Sequence, residues 1–121
     1  MKLIPVFQCR DLARSIAFYT EVLDFELEDP ADTSPVRNLV HGDVTLQLSS
    51  LPGDSALGCA INVRVPDVDA CYRRYLARGL DTTARPDSPV HQAPVDQTWG
   101  IRELYVTDPD GNTLRFGQLL T

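Results

Sequence analysis

Near the C-terminus a carboxylate, a phenol and a guanidinium fall on alternate residues: Glu103 and Tyr105 in the run 101–107, then Thr113 and Arg115 in the run 113–116. Asp108-Pro109-Asp110-Gly111-Asn112 between them has the composition of a tight turn, so the stretch reads as strand, turn, strand. A strand sends alternate side chains to opposite faces, which separates Arg115 and Thr113 from Leu114 and Phe116. The same parity sets Thr45, Gln47 and Ser49 opposite Val44, Leu46 and Leu48, and sets Asn62 and Arg64 opposite Ile61, Val63 and Val65. Amides, hydroxyls, a carboxylate and guanidiniums so arranged can hydrogen-bond and ion-pair a small polar molecule. They can equally face bulk water, and Glu103 can equally pair with Arg115 across the hairpin. Trp99, just ahead of the strand, either covers a core edge or offers a stacking surface to a planar ligand.

Other chemistries find little support. His41 falls in a turn and His91 in a proline-rich loop, whereas a metal needs three or four convergent ligands. Cys9, Cys59 and Cys71 are odd in number, widely spaced and free of any C-x-x-C, which argues against a disulfide framework and a cysteine zinc site and suits a reducing cytoplasm. Nothing local pairs a cysteine with a base and an orienting group. Gly42, Gly100 and Gly111 lack the spacing of a phosphate cradle.

The elements that must position the polar side chains follow from periodicity. A length of 121 residues, 43% of them hydrophobic and 23% charged, suits one globular domain with a real core. The formal charge of -6 makes nucleic acid and anionic membranes poor partners and permits a cationic or polar small molecule. The apolar run Leu3–Phe7 is too short for a signal peptide or a membrane span.

Leu3–Cys9 reads as an edge strand because Pro5 lacks an N–H. Asp11 then caps a helix over about residues 12–23 with the stripe Leu12, Ile16, Tyr19 and Leu23. An acidic span follows, Glu21, Asp24, Glu26, Glu28, Asp29 and Asp32, with no basic residue between Arg14 and Arg37. Residues 37–40 and 44–49 form a hairpin, and 50–58, rich in small residues, Pro and Gly, reads as a linker. The first pattern then returns: a strand over 60–65, a helix capped by Asp67 with the stripe Val68, Tyr72 and Tyr75, a stop at Gly79, an irregular stretch over 81–94, and the closing hairpin. The chain is therefore expected to be one α+β domain over 1–121, with module 1 about 1–50, the linker about 50–58 and module 2 about 59–121.

This repeat, with Arg10-Asp11-Leu12-Ala13-Arg14-Ser15-Ile16-Ala17-Phe18-Tyr19 and the later Trp99-Gly100, Arg102-Glu103 and Asp108-Pro109-Asp110-Gly111-Asn112, resembles the vicinal oxygen chelate superfamily of glyoxalases, extradiol dioxygenases and bleomycin resistance proteins. His91 and Ala93-Pro94 ahead of Trp99-Gly100 make it most similar to the bleomycin resistance branch. The resemblance implies two βαβββ modules whose mixed sheet curls into a cup with helices on its outer face, completed in a homodimer. It also assigns the superfamily's metal-ligand positions to Ile4, Gln47, Ala60 and Arg115, none of which is a carboxylate or an imidazole. An arginine places a permanent positive charge where the ion would sit.

The expectation is therefore a binding protein rather than an enzyme, without catalytic residues, metal or other cofactor. It would sequester a polar or cationic small molecule in the manner of bleomycin-type antibiotic resistance, on Trp99, Asn38, Gln47, Asn62, Glu103 and Arg115. The expected setting is a cytoplasmic homodimer without nucleic-acid or membrane partners. The alternative is a lyase, isomerase or dioxygenase-type enzyme of the same superfamily with an unusual or absent metal site.

Overall fold

The computed structural model describes residues 1–121, which divide into two compact units: residues 1–59 with 108–112, and residues 60–107 with 113–121. Each holds one helix and a four-stranded mixed sheet, so the fold is α+β and consists of two βαβββ modules. Neither sheet closes into a barrel.

In the first unit β1 (Val6–Gln8), β2 (Glu26–Leu27), β3 (Val36–His41) and β4 (Val44–Ser49) are ordered β1-β4-β3-β2. β1 runs parallel to β4 on the sheet edge with Val6 opposite Gln47. Pro5 precedes β1 and contributes only its carbonyl, which accepts the Gln47 N–H at 2.9 Å. α1 (Leu12–Ala17) starts where the Asp11 carboxylate accepts the Arg14 N–H.

The helix expected over 12–23 does not stay regular. It widens into a π turn over Phe18–Val22, where the Thr20 hydroxyl donates to the carbonyls of Ile16 and Ala17 and competes with the backbone ladder. The buried row is accordingly Ser15, Tyr19 and Leu23, while Leu12 and Ile16 are only half-buried. Tyr19 meets Phe25 edge-to-face, with 6.0 Å between centroids, and Phe7, Leu39, Leu46 and Leu48 are buried in the same unit.

Ser15 and Tyr19 are buried because the turn 108–112 supplies their partners. Asp108 accepts the Tyr19 hydroxyl at 2.8 Å, and Asp110 accepts the Ser15 hydroxyl at 2.9 Å and the Arg10 N–H at 3.1 Å. Asn112, wholly buried, donates to the Gln8 carbonyl and accepts the Cys59 N–H. Inside the turn Asp108 also accepts the N–H groups of Asp110 and Asn112, and Gly111 takes φ 84. Every buried polar atom of this network is satisfied, as burial requires.

In the second unit β5 (Ala60–Arg64), β6 (Val95–Asp96), β7 (Ile101–Thr107) and β8 (Thr113–Leu119) are ordered β5-β8-β7-β6. α2 (Val68–Ala77) is capped by Asp67 and ends where Gly79 turns left-handed at φ 99 and the Leu80 N–H returns to the Tyr75 carbonyl. It packs on β7 and β8 through Val68 and Tyr75, whose ring lies 5.3 Å from that of Phe116. Arg102 on β7 bridges Asp69 of α2 and Asp96 of β6. Within the irregular 81–94 stretch, Pro89–His91 forms a single 3₁₀ turn.

Candidate functional site

Polar side chains gather on one sheet face in each unit. In the first, β3 and β4 pair Asn38 with Gln47, and the Gln47 amide donates to the Asn38 side-chain oxygen at 3.1 Å. β2 is in register so that the Glu28 N–H bonds the Asn38 carbonyl, which brings the acidic span alongside this pair. The result is a cavity of about 260 Å³ lined by Glu28, Asp29, Asp32, Val36, Arg37, Asn38 and Gln47.

Its shape is fixed by the loop's own bonds. Asp29 accepts the Ala31 N–H, Asp32 accepts the Ser34 N–H, and the Arg37 guanidinium donates to the Asp29 carbonyl. The Ser34 bonds hold the Asp32 carboxyl below its ordinary pKa, so it stays anionic in mild acid. From the sequence this acidic span reads first as an exposed, solvated loop with a local negative field; the register of β2 and the Asx turns that shape it into a cavity had no strong periodic signal.

In the second unit Asn62 stands opposite Arg115, Arg115 opposite Tyr105, and Gly117 opposite Glu103. The cross-strand ion pair between Glu103 and Arg115 therefore does not form. The Arg115 guanidinium lies over the Tyr105 ring at 5.4 Å, and the Tyr105 hydroxyl reaches Glu103 at 3.4 Å. Burial and the Glu103 charge raise the Tyr105 pKa, with Arg115 opposing them. Glu103 is buried while Asn62 and Arg115 are exposed.

His91 lies on the same face. Its ring meets Tyr105 edge-on, and its two nitrogens bond the hydroxyls of Ser88 and Thr107, the latter 2.9 Å from the Thr113 hydroxyl. Partial burial, with Arg85 nearby, lowers its pKa. Parity alone did not reveal this role, since His91 sits outside any strand.

Trp99 occupies the turn before β7, where Gly100 takes φ 81, and its side chain is 61% exposed. The six expected residues thus separate into Asn38 with Gln47 in one unit, Asn62, Glu103 and Arg115 in the other, and Trp99 on an exposed turn. A further cavity of about 420 Å³ in the first unit is lined by Gln8, Cys9, Arg10 and the 50–57 loop; burial pushes the Cys9 thiol pKa up.

The donor set does not fit a metal. Of the positions the resemblance assigns to ligands, Ile4 and Ala60 offer hydrocarbon, Gln47 a single neutral amide oxygen, and Arg115 is a cation seated on an aromatic ring. No three His, Cys, Asp or Glu side chains converge elsewhere. No helix is long and apolar enough to cross a membrane.

The family model described as Glyoxalase/Bleomycin resistance protein/Dioxygenase superfamily matches residues 5–116. A bleomycin-binding protein solved in complex with bleomycin is 28% identical over 98% of both chains, with a TM-score of 0.79. A bleomycin resistance determinant encoded on the transposon Tn5 is 29% identical, again over 98% of both chains and at a TM-score of 0.79. A bleomycin-binding protein from bleomycin-producing Streptomyces verticillus, complexed with copper(II)-bleomycin, shares the fold at 20% identity and a TM-score of 0.69, over 96% of this chain and 93% of that one. Among curated proteins none matches.

Proposed function

This chain belongs to the Glyoxalase/Bleomycin resistance protein/Dioxygenase superfamily, and from that premise we propose that it binds and sequesters a polar or cationic, partly aromatic small molecule of the bleomycin type, without a metal of its own and without transforming the ligand. The observation that carries the reading is the acidic cavity of the first unit. Glu28, Asp29 and Asp32 line it together with the Asn38–Gln47 pair, and the one cation in the lining, Arg37, is turned onto a backbone carbonyl. A cationic group entering it gains Coulomb energy from these solvent-accessible carboxylates, an attraction that salt screens, and the Gln47 side-chain oxygen, not used in the bond to Asn38, remains to accept a hydrogen bond from it.

The two relatives at 28% and 29% identity, one holding bleomycin, lend the reading a ligand class. Within the second unit, the proposed ligand contacts are Asn62, Glu103 and Arg115, with Trp99 offering a stacking surface to a planar ring. The acting form is a homodimer in the cytoplasm, a setting supported by three cysteines that form no disulfide.

Calorimetric titration of bleomycin into the wild type and into a Glu28→Gln/Asp29→Asn/Asp32→Asn variant tests this. Asparagine can still accept the Ala31 and Ser34 N–H groups, so the loop is kept while the charge is removed. The expected outcome is saturable binding to the wild type, weakened at least about tenfold in the variant and by added salt. Equal affinity for both proteins would remove the cavity from the site.

A further inference from the structure

Two guanidiniums share one sheet face of the second unit without a carboxylate in ion-pair reach. Arg10 and Arg102 have such partners; Arg64 and Arg115 have none. Both are nevertheless held in place. Arg115 rests on the Tyr105 ring, and the Arg64 guanidinium lies against Gly117, in the space that a Cβ there would take. Gly117 follows Arg115 by two residues on the same face, and the register sets Arg64 opposite Gly117 and Asn62 opposite Arg115.

The two cations are thus neighbours with an exposed carboxamide beside them, and like charges so placed repel. Glu103, opposite Gly117 and only 5% exposed, offsets one of the two charges. One net positive charge remains, along with the guanidinium N–H groups that cation–π contact with a ring leaves free.

We infer that the Arg64–Asn62–Arg115 face of the second unit binds an oxyanion, a carboxylate or a phosphate, carried by a small-molecule ligand. The fork of donors on each guanidinium matches the paired oxygens of such a group, and Asn62 supplies an N–H beside them. This extends the binding reading above by naming a group that the second unit takes.

The test is a titration of the ¹⁵N-labelled full chain with sodium benzoate, with inorganic phosphate and, at matched ionic strength, with sodium chloride. It is read by NMR at the Nε–H of Arg64 and Arg115 and the side-chain amide of Asn62. Saturating shifts at these groups with benzoate or phosphate, absent with chloride, are expected, and the tighter of the two probes identifies the oxyanion source. Arg64→Gln and Arg115→Gln should each weaken binding at least about tenfold, with Arg115→Lys in between because it keeps charge and loses the fork. Shifts that never saturate, that appear equally at the exposed helix residues Arg14 and Arg73, or that persist unchanged in both glutamine variants would overturn the inference. A saturable response to either anion stands even where bleomycin gives none, so the two readings fail separately.

Discussion

Tyr19 illustrates how a single side chain carries two kinds of energy. Its ring packs on Phe25 in the first core, and its hydroxyl donates to a buried Asp108 carboxylate, which together with burial raises the phenol's pKa. Tyr19→Phe keeps the ring and removes one donor, while Asp108 retains the Asp110 and Asn112 N–H groups. Urea unfolding should show a loss of about 1–3 kcal/mol. Asn112→Ala strips partners from both the Gln8 carbonyl and the Cys59 N–H, and its cost in the same assay should be larger, about 2–4 kcal/mol. His91 gives a pH signature. Burial lowers its folded pKa below 6.5, so the unfolded chain binds the proton more tightly and the His91 contribution to stability rises with pH through the window ending near 6.5. That contribution is lost as pH falls through this window, and His91→Asn should flatten this part of the stability profile. An NMR titration placing the His91 pKa at or above 6.5 would contradict it.

At the scale of elements, the strand and helix pattern was legible because two periods repeat in order, and caps at Asp11 and Asp67 mark both helix starts. The π turn was not. The stripe of Leu12, Ile16, Tyr19 and Leu23 is good helical spacing, but a threonine hydroxyl in the ladder and a polar anchor at Ser15 rotate the buried row. Half of the candidate site was legible for the same reason: parity put Gln47, Asn62, Glu103 and Arg115 on polar faces, whereas the partners that make Glu103 buried and Arg115 seated depend on register. Gly117 was the missed signal, since a lone glycine in a strand pattern often marks a close approach. Gly117→Ala should displace the Arg64 guanidinium and press the new methyl 3.0 Å from Ile101 Cγ2. Because a flexible side chain can yield, the stability cost should stay below about 1.5 kcal/mol, while oxyanion binding should fall severalfold. A Gly117→Ala chain that binds benzoate and phosphate like the wild type would separate Arg64 from that face.

For the whole molecule, the net charge of -6 is unevenly spent. Carboxylates line the cavity of the first unit, and guanidiniums without an ion-pair partner lie on a sheet face of the second, so each unit carries its own local field. Membership of the superfamily does not by itself specify a metal site: hydrocarbon and guanidinium side chains stand at three of the positions the resemblance assigns to ligands. Dialysis against a strong chelator should leave the thermal midpoint unchanged; a fall of several degrees, restored by one divalent cation, would reveal a metal that this donor set does not explain. The central claim, binding without a metal, is tested most directly by calorimetric titration of metal-free bleomycin into the chelator-treated protein. The account predicts a saturating isotherm with the same affinity as before chelation, and no heat at high micromolar protein, or binding that returns only with added metal, would contradict it.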